Sequence, residues 1–383
     1  MNIGIDKIGF YSPEYFIDMR KLAVARNIDP DKFTYGLGQD LMAVKPITQD
    51  TITMGANAAN TILNDSDNEV IDLVILATET GLDFSKSGAT SIHSLLGINA
   101  FARCIEMKQA CYSATAAIAF AQAHIAMTPG SKALVIASDT SRYGLNTSGE
   151  PTQGAGAVAM LISEDPSILQ LETNATYFTD DILDFWRPNY SDVALVDGKY
   201  SNEQYQRFFE TVINRHFEKN SMSLSDFHAL CFHIPYTKMG LKALRSIVDK
   251  EERTDLYKNY TDSTLYNRQV GNIYTGSLYL SLLSLLEKGT MESGERIGLF
   301  SYGSGAVGEF FSGILQPDYK EALINHEPAL SKRQELSITE YEHMYNAKTI
   351  ENGSHQIFDT AHEQSAFYMA EIKNDARIYK TNK

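Results

Sequence analysis

Apolar runs the length of buried strands alternate along the whole chain with stretches of helical periodicity. Five runs read as strands: 74–77 within IDLVILATET, 132–140 (KALVIASDT), 156–163 (GAVAMLIS), 228–234 (HALCFHI) and 296–302 (RIGLFSY). Helices are expected at 49–63, 111–127, 202–218, 237–248 and 275–287. This alternation predicts an α/β fold. No low-complexity segment or long flexible linker interrupts it, and the chain turns polar beyond about residue 325.

The order of signals occurs twice. A buried strand ends at Glu79, a helix opens at Cys111, the strand KALVIASDT follows, and then comes GAGAV at 154–158. Later a strand carries His233, a helix opens after Asn272, RIGLFSY follows, and then comes GSGAV at 303–307. Glu79 and His233 are 154 residues apart, Cys111 and Asn272 are 161 apart, and the glycine-rich pentapeptides are 149 apart. Landmarks repeated in one order at similar offsets predict two equivalent halves, 1–166 and 167–383. If the halves pack about a pseudo-two-fold axis, these four residues converge on one cavity, since the fold assembles catalytic sets from distant sequence.

Composition narrows the classes. The formal charge of −15 over 383 residues disfavours a nucleic-acid partner, which needs positive surface. A small anionic ligand sees only the field of its pocket and stays possible. No apolar run approaches the roughly 20 residues of a membrane span, and the start, MNIGIDKIGFYSP, lacks the regions of a signal peptide. Three cysteines, Cys104, Cys111 and Cys231, make no disulfide framework. A reducing, cytoplasmic setting is expected. No His/Cys cluster has metal-ligand spacing and no glycine-rich loop has Walker or dinucleotide spacing, so neither metal nor cofactor is expected.

Cys111 is the strongest candidate for chemistry. At a helix N-terminus the dipole and free N–H groups favour thiolate; an inert buried cysteine is the alternative, and Cys104 and Cys231, in apolar runs, fit that description better. His233 follows a buried strand, where α/β proteins place their sites, and a neutral imidazole there can donate to a thioester carbonyl. Glu79 ends a fully apolar strand; in a desolvated cleft it would suit general acid–base work, and on the surface it would be a cap. Lys238, Lys242 and Arg245 share one helical face, a stripe for phosphates or simply for solvent. Asn272 could orient His233, donate to an oxyanion or cap the next helix, and the Gly303–Gly305 turn allows close backbone approach.

Taken together, KFTYGLGQD, ILATETG, ACYSATAAI, RYGLNTSGEPTQGAGAVAM, DFWRP, VDGKYSNE, FHIPYTKMG, VGNIYTGSLYLSLLSLLE and LFSYGSGAVGEFFSG closely resemble the bacterial 3-hydroxy-3-methylglutaryl-CoA (HMG-CoA) synthases of the thiolase superfamily. The resemblance runs over nearly the whole chain. It implies the five-layered αβαβα thiolase-like fold with two pseudo-two-fold-related halves, and a homodimer. It implies condensation of acetyl-CoA with acetoacetyl-CoA, an early step of the mevalonate pathway to isoprenoids. Cys111 then corresponds to the nucleophile, Glu79 to the acid/base and His233 to the residue engaging acetoacetyl-CoA. Asp29, Thr152, Ser201, Lys242, Asn272 and Ser304 resemble substrate contacts, and Tyr143 and Phe185 resemble pocket residues; Lys238 joins Lys242 as a candidate phosphate contact. After DFWRP the chain reads NYSDVALVDG, without the glycine-containing stretch expected in relatives.

On this basis Cys111 carries acetyl, Glu79 forms the enolate, and the N–H groups of Cys111 and of a residue in 303–305 stabilise the thioester oxygen. Two other readings fit some of the residues. A β-ketoacyl synthase-like condensing enzyme would use Cys, His and Asn but needs no Glu79. A non-catalytic acyl-CoA-binding protein would need none of the catalytic set.

Overall fold

The computed structural model describes residues 2–382. Its main sheet has ten strands: β1 (Ile3–Tyr11), β2 (Ile71–Ala77), β3 (Arg103–Met107), β4 (Lys132–Ser141), β5 (Gly154–Glu164), β6 (Leu169–Leu171), β7 (Thr176–Thr179), β8 (Ala229–Phe232), β9 (Arg296–Gly303) and β10 (Val307–Leu315). The order is β8-β9-β10-β6-β1-β5-β4-β2-β3, with β7 added on β10. Reading outward from the centre, β1 meets β5 and β5 meets β4 antiparallel, while β4 runs parallel to β2. On the other side β6 meets β10 and β10 meets β9 antiparallel, while β9 runs parallel to β8. The antiparallel contact of β1 with β6 joins the two sets. The two halves of the sheet therefore have one topology.

The strands are apolar on both faces, and alternate residues serve different cores. Leu73, Ile75, Val135 and Val158 of one half share a core with Cys231, Ile297 and Leu299 of the other. Between them lie α3 (Ser113–Met127) and α6 (Ser277–Lys288), once α1 (Thr51–Asn60), α2 (Gly88–Leu96), α4 (Gly198–Asn220) and α5 (Thr237–Ile247) are counted in chain order. The alternate residues Val74, Leu76, Leu134 and Ile136 pack outward on α1 and α2. Leu230, Phe232, Phe300 and Phe310 pack outward on α4 and α5. The layers run helix, sheet, helix, sheet, helix. The central helices suit their position: α3 presents Ala114, Ala117 and Ala121, and α6 is buried along nearly its whole length.

Helix ends shift from expectation for local reasons. Asp50 caps α1 through the N–H groups of Ile52 and Thr53, so it opens at Thr51 rather than 49. Asp197 caps α4, which therefore opens at Gly198 and places Ser201 in its first turn. α3 opens at Ser113, two residues after Cys111. The polar tail holds α7 (Ile338–Asn346), capped reciprocally by Ser337 and Glu340, and a terminal hairpin, Phe367–Lys373 with Ala376–Thr381.

Two glycine contacts lock the halves together. A Cβ on Gly303 would lie 2.1 Å from the Ala110 carbonyl oxygen and 2.5 Å from Tyr112 Cβ. In the corresponding place of the other half, a Cβ on Gly154 would lie 2.7 Å from the Val270 carbonyl oxygen and 2.8 Å from that of Asn272, and Gly154 bridges Gly271 directly. Each half's glycine-rich turn thus closes on the other half's helix-opening turn. Gly303→Ala should cost about 2 kcal/mol or more, measured by urea unfolding, because the nearest obstructing atom is a backbone oxygen and Tyr112 Cβ moves only with its own backbone. A loss below half of that would show that the two turns can part.

Candidate active site

The segment before α3 makes a tight turn rather than a helical start. The Tyr112 N–H bonds back to the Ala110 carbonyl at 2.7 Å, a three-residue turn, and Cys111 takes φ 55°. Such a turn is strained for a residue with a side chain. It presents Cys111 between strand and helix, much as a nucleophile elbow presents its serine. The Cys111 N–H donates to Glu79 Oε2 at 2.6 Å. Glu79 and Cys111 therefore touch, although 32 residues separate them.

Glu79 sits in a turn organised by a second carboxylate. Asp139 is fully buried at the end of β4. Its Oδ1 accepts from the Thr78 hydroxyl (2.7 Å), the Glu79 N–H (2.9 Å), and the Thr80 N–H (3.1 Å) and hydroxyl (2.7 Å). Its Oδ2 accepts from the Thr275 hydroxyl (2.5 Å) and N–H (3.2 Å), on the turn that opens α6. Glu79 itself opens to the cleft but is surrounded by protein. Desolvation first, and the Asp139 charge second, push its carboxyl up to about 8.

The same surroundings reverse one expectation. Burial, then the nearby Glu79, Asp139 and Asp184 carboxylates, push the Cys111 thiol well above its ordinary range. The helix dipole does not win, because Cys111 stands before the first helical residue and its own N–H is committed to Glu79. The expected oxyanion donors are likewise engaged by carboxylates. The Cys111 N–H meets Glu79, and the Gly305 N–H meets Asp184 Oδ1 at 2.9 Å. Carboxylate oxygens thus stand where a thioester oxygen was expected.

Around Cys111 the side chains of Phe185, Ala194 and Tyr274 are buried with it, and Tyr143 packs against them. The three rings meet edge to face, with centroids 5.8–6.2 Å apart. Asn272 Oδ1 accepts from the Tyr274 N–H (2.9 Å) and the Ser277 hydroxyl (3.0 Å), which fixes its amide and turns its NH2 toward the Tyr143 phenol. His233 lies just past β8, held by its N–H on the Phe300 carbonyl (2.8 Å) and by Tyr205, whose hydroxyl donates to the His233 carbonyl (2.6 Å). Burial lowers its imidazole to about 3, and Nδ1 has no protein partner. This ring is neutral throughout the physiological range.

Other expected residues mark a track to the surface. Ser304 lies in the turn against Cys111, and its carbonyl accepts from Gln109 Nε2 at 2.9 Å. Ser201 donates to Asp184 Oδ2 (3.1 Å), which also accepts from the Tyr302 hydroxyl (2.8 Å). Beside Ser201, Asn202 Oδ1 accepts from Tyr236, whose hydroxyl accepts from Lys242 Nζ at 3.1 Å. Lys242 and Asp29 are exposed and Lys238 is half-buried. Thr152 is half-buried in a short turn, bonded to the Gly149 carbonyl.

Asp139, Asp184, Gln109, Arg187, Ala194 and Tyr274 were not anticipated. Asp139 carries the same signal as Glu79, a carboxylate ending an apolar run, and could have been found that way. Arg187, whose guanidinium donates to the Glu79 carbonyl, is the arginine of DFWRP, and Ala194 lies in the divergent stretch after it; neither carried a signal of its own for the site.

Residues 1–167 match the family model for the N-terminal part of hydroxymethylglutaryl-coenzyme A synthase, and residues 251–381 match the model for its C-terminal part. A hydroxymethylglutaryl-CoA synthase of Enterococcus faecalis is 49% identical over 99% of this chain and 100% of that one. A crystal structure of HMG-CoA synthase complexed with CoA superposes with a TM-score of 0.97 at 46% identity, covering all of both chains. MvaS in complex with 3-hydroxy-3-methylglutaryl coenzyme A gives 0.90 at 33%, covering 100% of this chain and 99% of that one.

The raised Glu79 carboxyl has a thermodynamic signature. Unfolded, it ionises near 4.5; folded, it stays protonated to about 8. Its contribution to stability is full below pH 4.5 and is lost as pH rises toward 8. Glu79→Gln should gain on the wild type across that window by at most roughly 1.4 kcal/mol per pH unit, in urea unfolding at a series of pH values. A flat difference refutes the raised carboxyl.

Proposed function

The chain belongs to the hydroxymethylglutaryl-coenzyme A synthase family, and from that premise we propose how its own residues perform the reaction. It condenses acetyl-CoA with acetoacetyl-CoA and water to give HMG-CoA and free CoA, an early step of the mevalonate pathway. The observation that carries the assignment of roles is the pairing of Cys111, in its strained turn, with the Glu79 carboxyl at 2.6 Å.

Cys111 attacks the acetyl thioester; its S–H proton leaves with the CoA thiol, and acetyl-Cys111 forms. For the thioester oxygen to reach the Cys111 N–H, Glu79 must release it, which frees the carboxylate to take a proton from the acetyl methyl group. The enolate adds to the ketone carbon of acetoacetyl-CoA, and Glu79 returns its proton to the forming alkoxide. A carboxyl near 8 serves both steps, because neither form is far from population at neutral pH. Neutral His233, with Nδ1 unpaired, can hydrogen-bond the second substrate without adding charge. Water then cleaves the Cys111 thioester. Tyr143, Phe185, Ala194 and Tyr274 wall the acetyl group, and Lys238 and Lys242 would offer their charges to the CoA phosphates, with Asp29 as a further substrate contact. The balance needs no cofactor beyond the substrates.

We also propose a homodimer. Strand β3 is an unpaired sheet edge with half-exposed and exposed residues, among them Ile105. Phe101, Phe84, Phe120 and Met127, on segments next to it or on the helix after it, are strongly exposed. An edge strand with apolar neighbours favours pairing with another chain. Three free thiols agree with a cytoplasmic, reducing setting, and no helix among the described residues is long and apolar enough to cross a membrane.

Incubated with acetyl-CoA alone, the wild type should show an acetyl adduct on the Cys111 peptide by mass spectrometry, and Cys111→Ser should show none. Glu79→Ala should still form the adduct yet lose condensation by roughly two to four orders of magnitude, read as HMG-CoA from both substrates. A 3-ketoacyl product would mean a β-ketoacyl synthase-like enzyme, and a wild type without adduct would mean a binding protein.

A further inference from the structure

Both walls of the pocket around Cys111 are held from one place in the C-terminal tail. The first wall is Tyr143. Its N–H and that of Gly144 donate to Gln153 Oε1 at 2.7 and 3.2 Å. Gln153 Nε2 donates to the Tyr341 hydroxyl (3.1 Å), which donates to Glu150 Oε1 (3.2 Å). The Tyr345 hydroxyl accepts a second bond from the Gly144 N–H at 3.1 Å. The second wall is Ala194, whose N–H donates to the Arg142 carbonyl at 2.9 Å. The Arg142 guanidinium in turn lies 4.0 Å from the centre of the Tyr345 ring and donates to the Tyr345 carbonyl at 2.9 Å. Lys348, two residues past α7, pairs with Asp192 in the same wall segment.

The anchor is stiff. Tyr341 is buried, α7 is capped by Ser337, and Glu150 is gripped by Arg26 at 2.8 and 2.9 Å, which also pairs with Glu342 of α7 at 2.7 Å. Buried groups satisfied in a closed network hold position well. Both walls approach the thiol from loops, and loops take the positions their anchors give them.

We propose that Tyr341 and Tyr345 are positioning residues that set the width of the acyl pocket, and so restrict the acyl group carried by Cys111 to acetyl. Neither side chain touches the reacting atoms; they act through Gln153 and Arg142. This rests on the reading of Cys111 as the acyl-bearing residue. A pocket held at the size of acetyl rejects one more methylene, a discrimination that a loosened wall gives up.

The test compares acetyl-CoA with propionyl-CoA by the rate of adduct formation on Cys111. Tyr345→Ala removes the stack on Arg142 and the Gly144 bond; its propionyl-to-acetyl ratio of kcat/KM should rise by roughly fivefold or more. Tyr345→Phe keeps the stack and should restore most of the selectivity, which a merely structural loss would not predict. Tyr341→Phe, a change of one oxygen, should raise the ratio at least about twofold and keeps the test open if Tyr345→Ala does not fold. Ratios at the wild-type value in a folded Tyr345→Ala, or in Tyr341→Phe if the former does not fold, overturn the proposal. Absence of an acetyl adduct in the wild type would instead overturn the role given to Cys111.

Discussion

Asp139 carries a charge with no access to solvent and has to be satisfied entirely from within. Thr78, Glu79 and Thr80 supply donors from the end of β2, and Thr275 supplies two more from the turn that opens α6. One buried carboxylate therefore fixes two loops from different halves of the chain. Its position has a chemical consequence besides the structural one. The charge that holds the Glu79 backbone also repels the Glu79 side-chain charge, and adds to the desolvation that brings this carboxyl near neutrality. The group that builds the site also tunes it.

Cys111 shows the same economy. A helix N-terminus would favour thiolate, but this thiol stands outside the helix among carboxylates, and burial and charge both keep it neutral. A neutral thiol resists oxidation and stray alkylation. It becomes a nucleophile when its proton has somewhere to go, and a bound thioester supplies that through the departing thiol. The strained turn is held from outside. Gly303 packs beneath Ala110 and Tyr112, Gln109 bonds the Ser304 carbonyl, and Tyr112 donates to buried Glu309 at 2.5 Å. All three restraints come from the second half of the chain.

Much of this was legible in the sequence where the physics is local or periodic. Apolar runs located β2, β4, β5, β8 and β9, and the repeated order of landmarks anticipated the matching strand topology. The meeting of Glu79 with Cys111 followed from that repeat. What was not legible depends on distant backbone. No pattern announces that Cys111 lies in a three-residue turn rather than in the first turn of α3, because that turn is held by the Glu79 carboxyl and the Ser304 carbonyl, both distant in the chain. Ala194 entered the pocket through a bond to the Arg142 carbonyl, and a residue of its size carries no signal of its own. The tail beyond residue 325 looked merely polar, since α7 buries chiefly Tyr341 and satisfies its tyrosines against loops.

Matching halves would by themselves create two matching cavities. The equivalent positions carry different chemistry, however: Glu79 against His233, and Cys111 against Asn272. One half offers a nucleophile and a carboxyl near 8, and the other offers a neutral imidazole and a fixed amide. Since each half's glycine-rich turn closes on the other's helix-opening turn, the two sets face one cleft rather than two. Among its contacts, the tail bonds the loops at 142–153 and 192–194 through Tyr341, Tyr345 and Lys348. Matching strand topology supplies a scaffold with converging turns. Divergent residues at those turns, and a strap added on one side, make that scaffold an asymmetric site in which one partner reacts and the other is held.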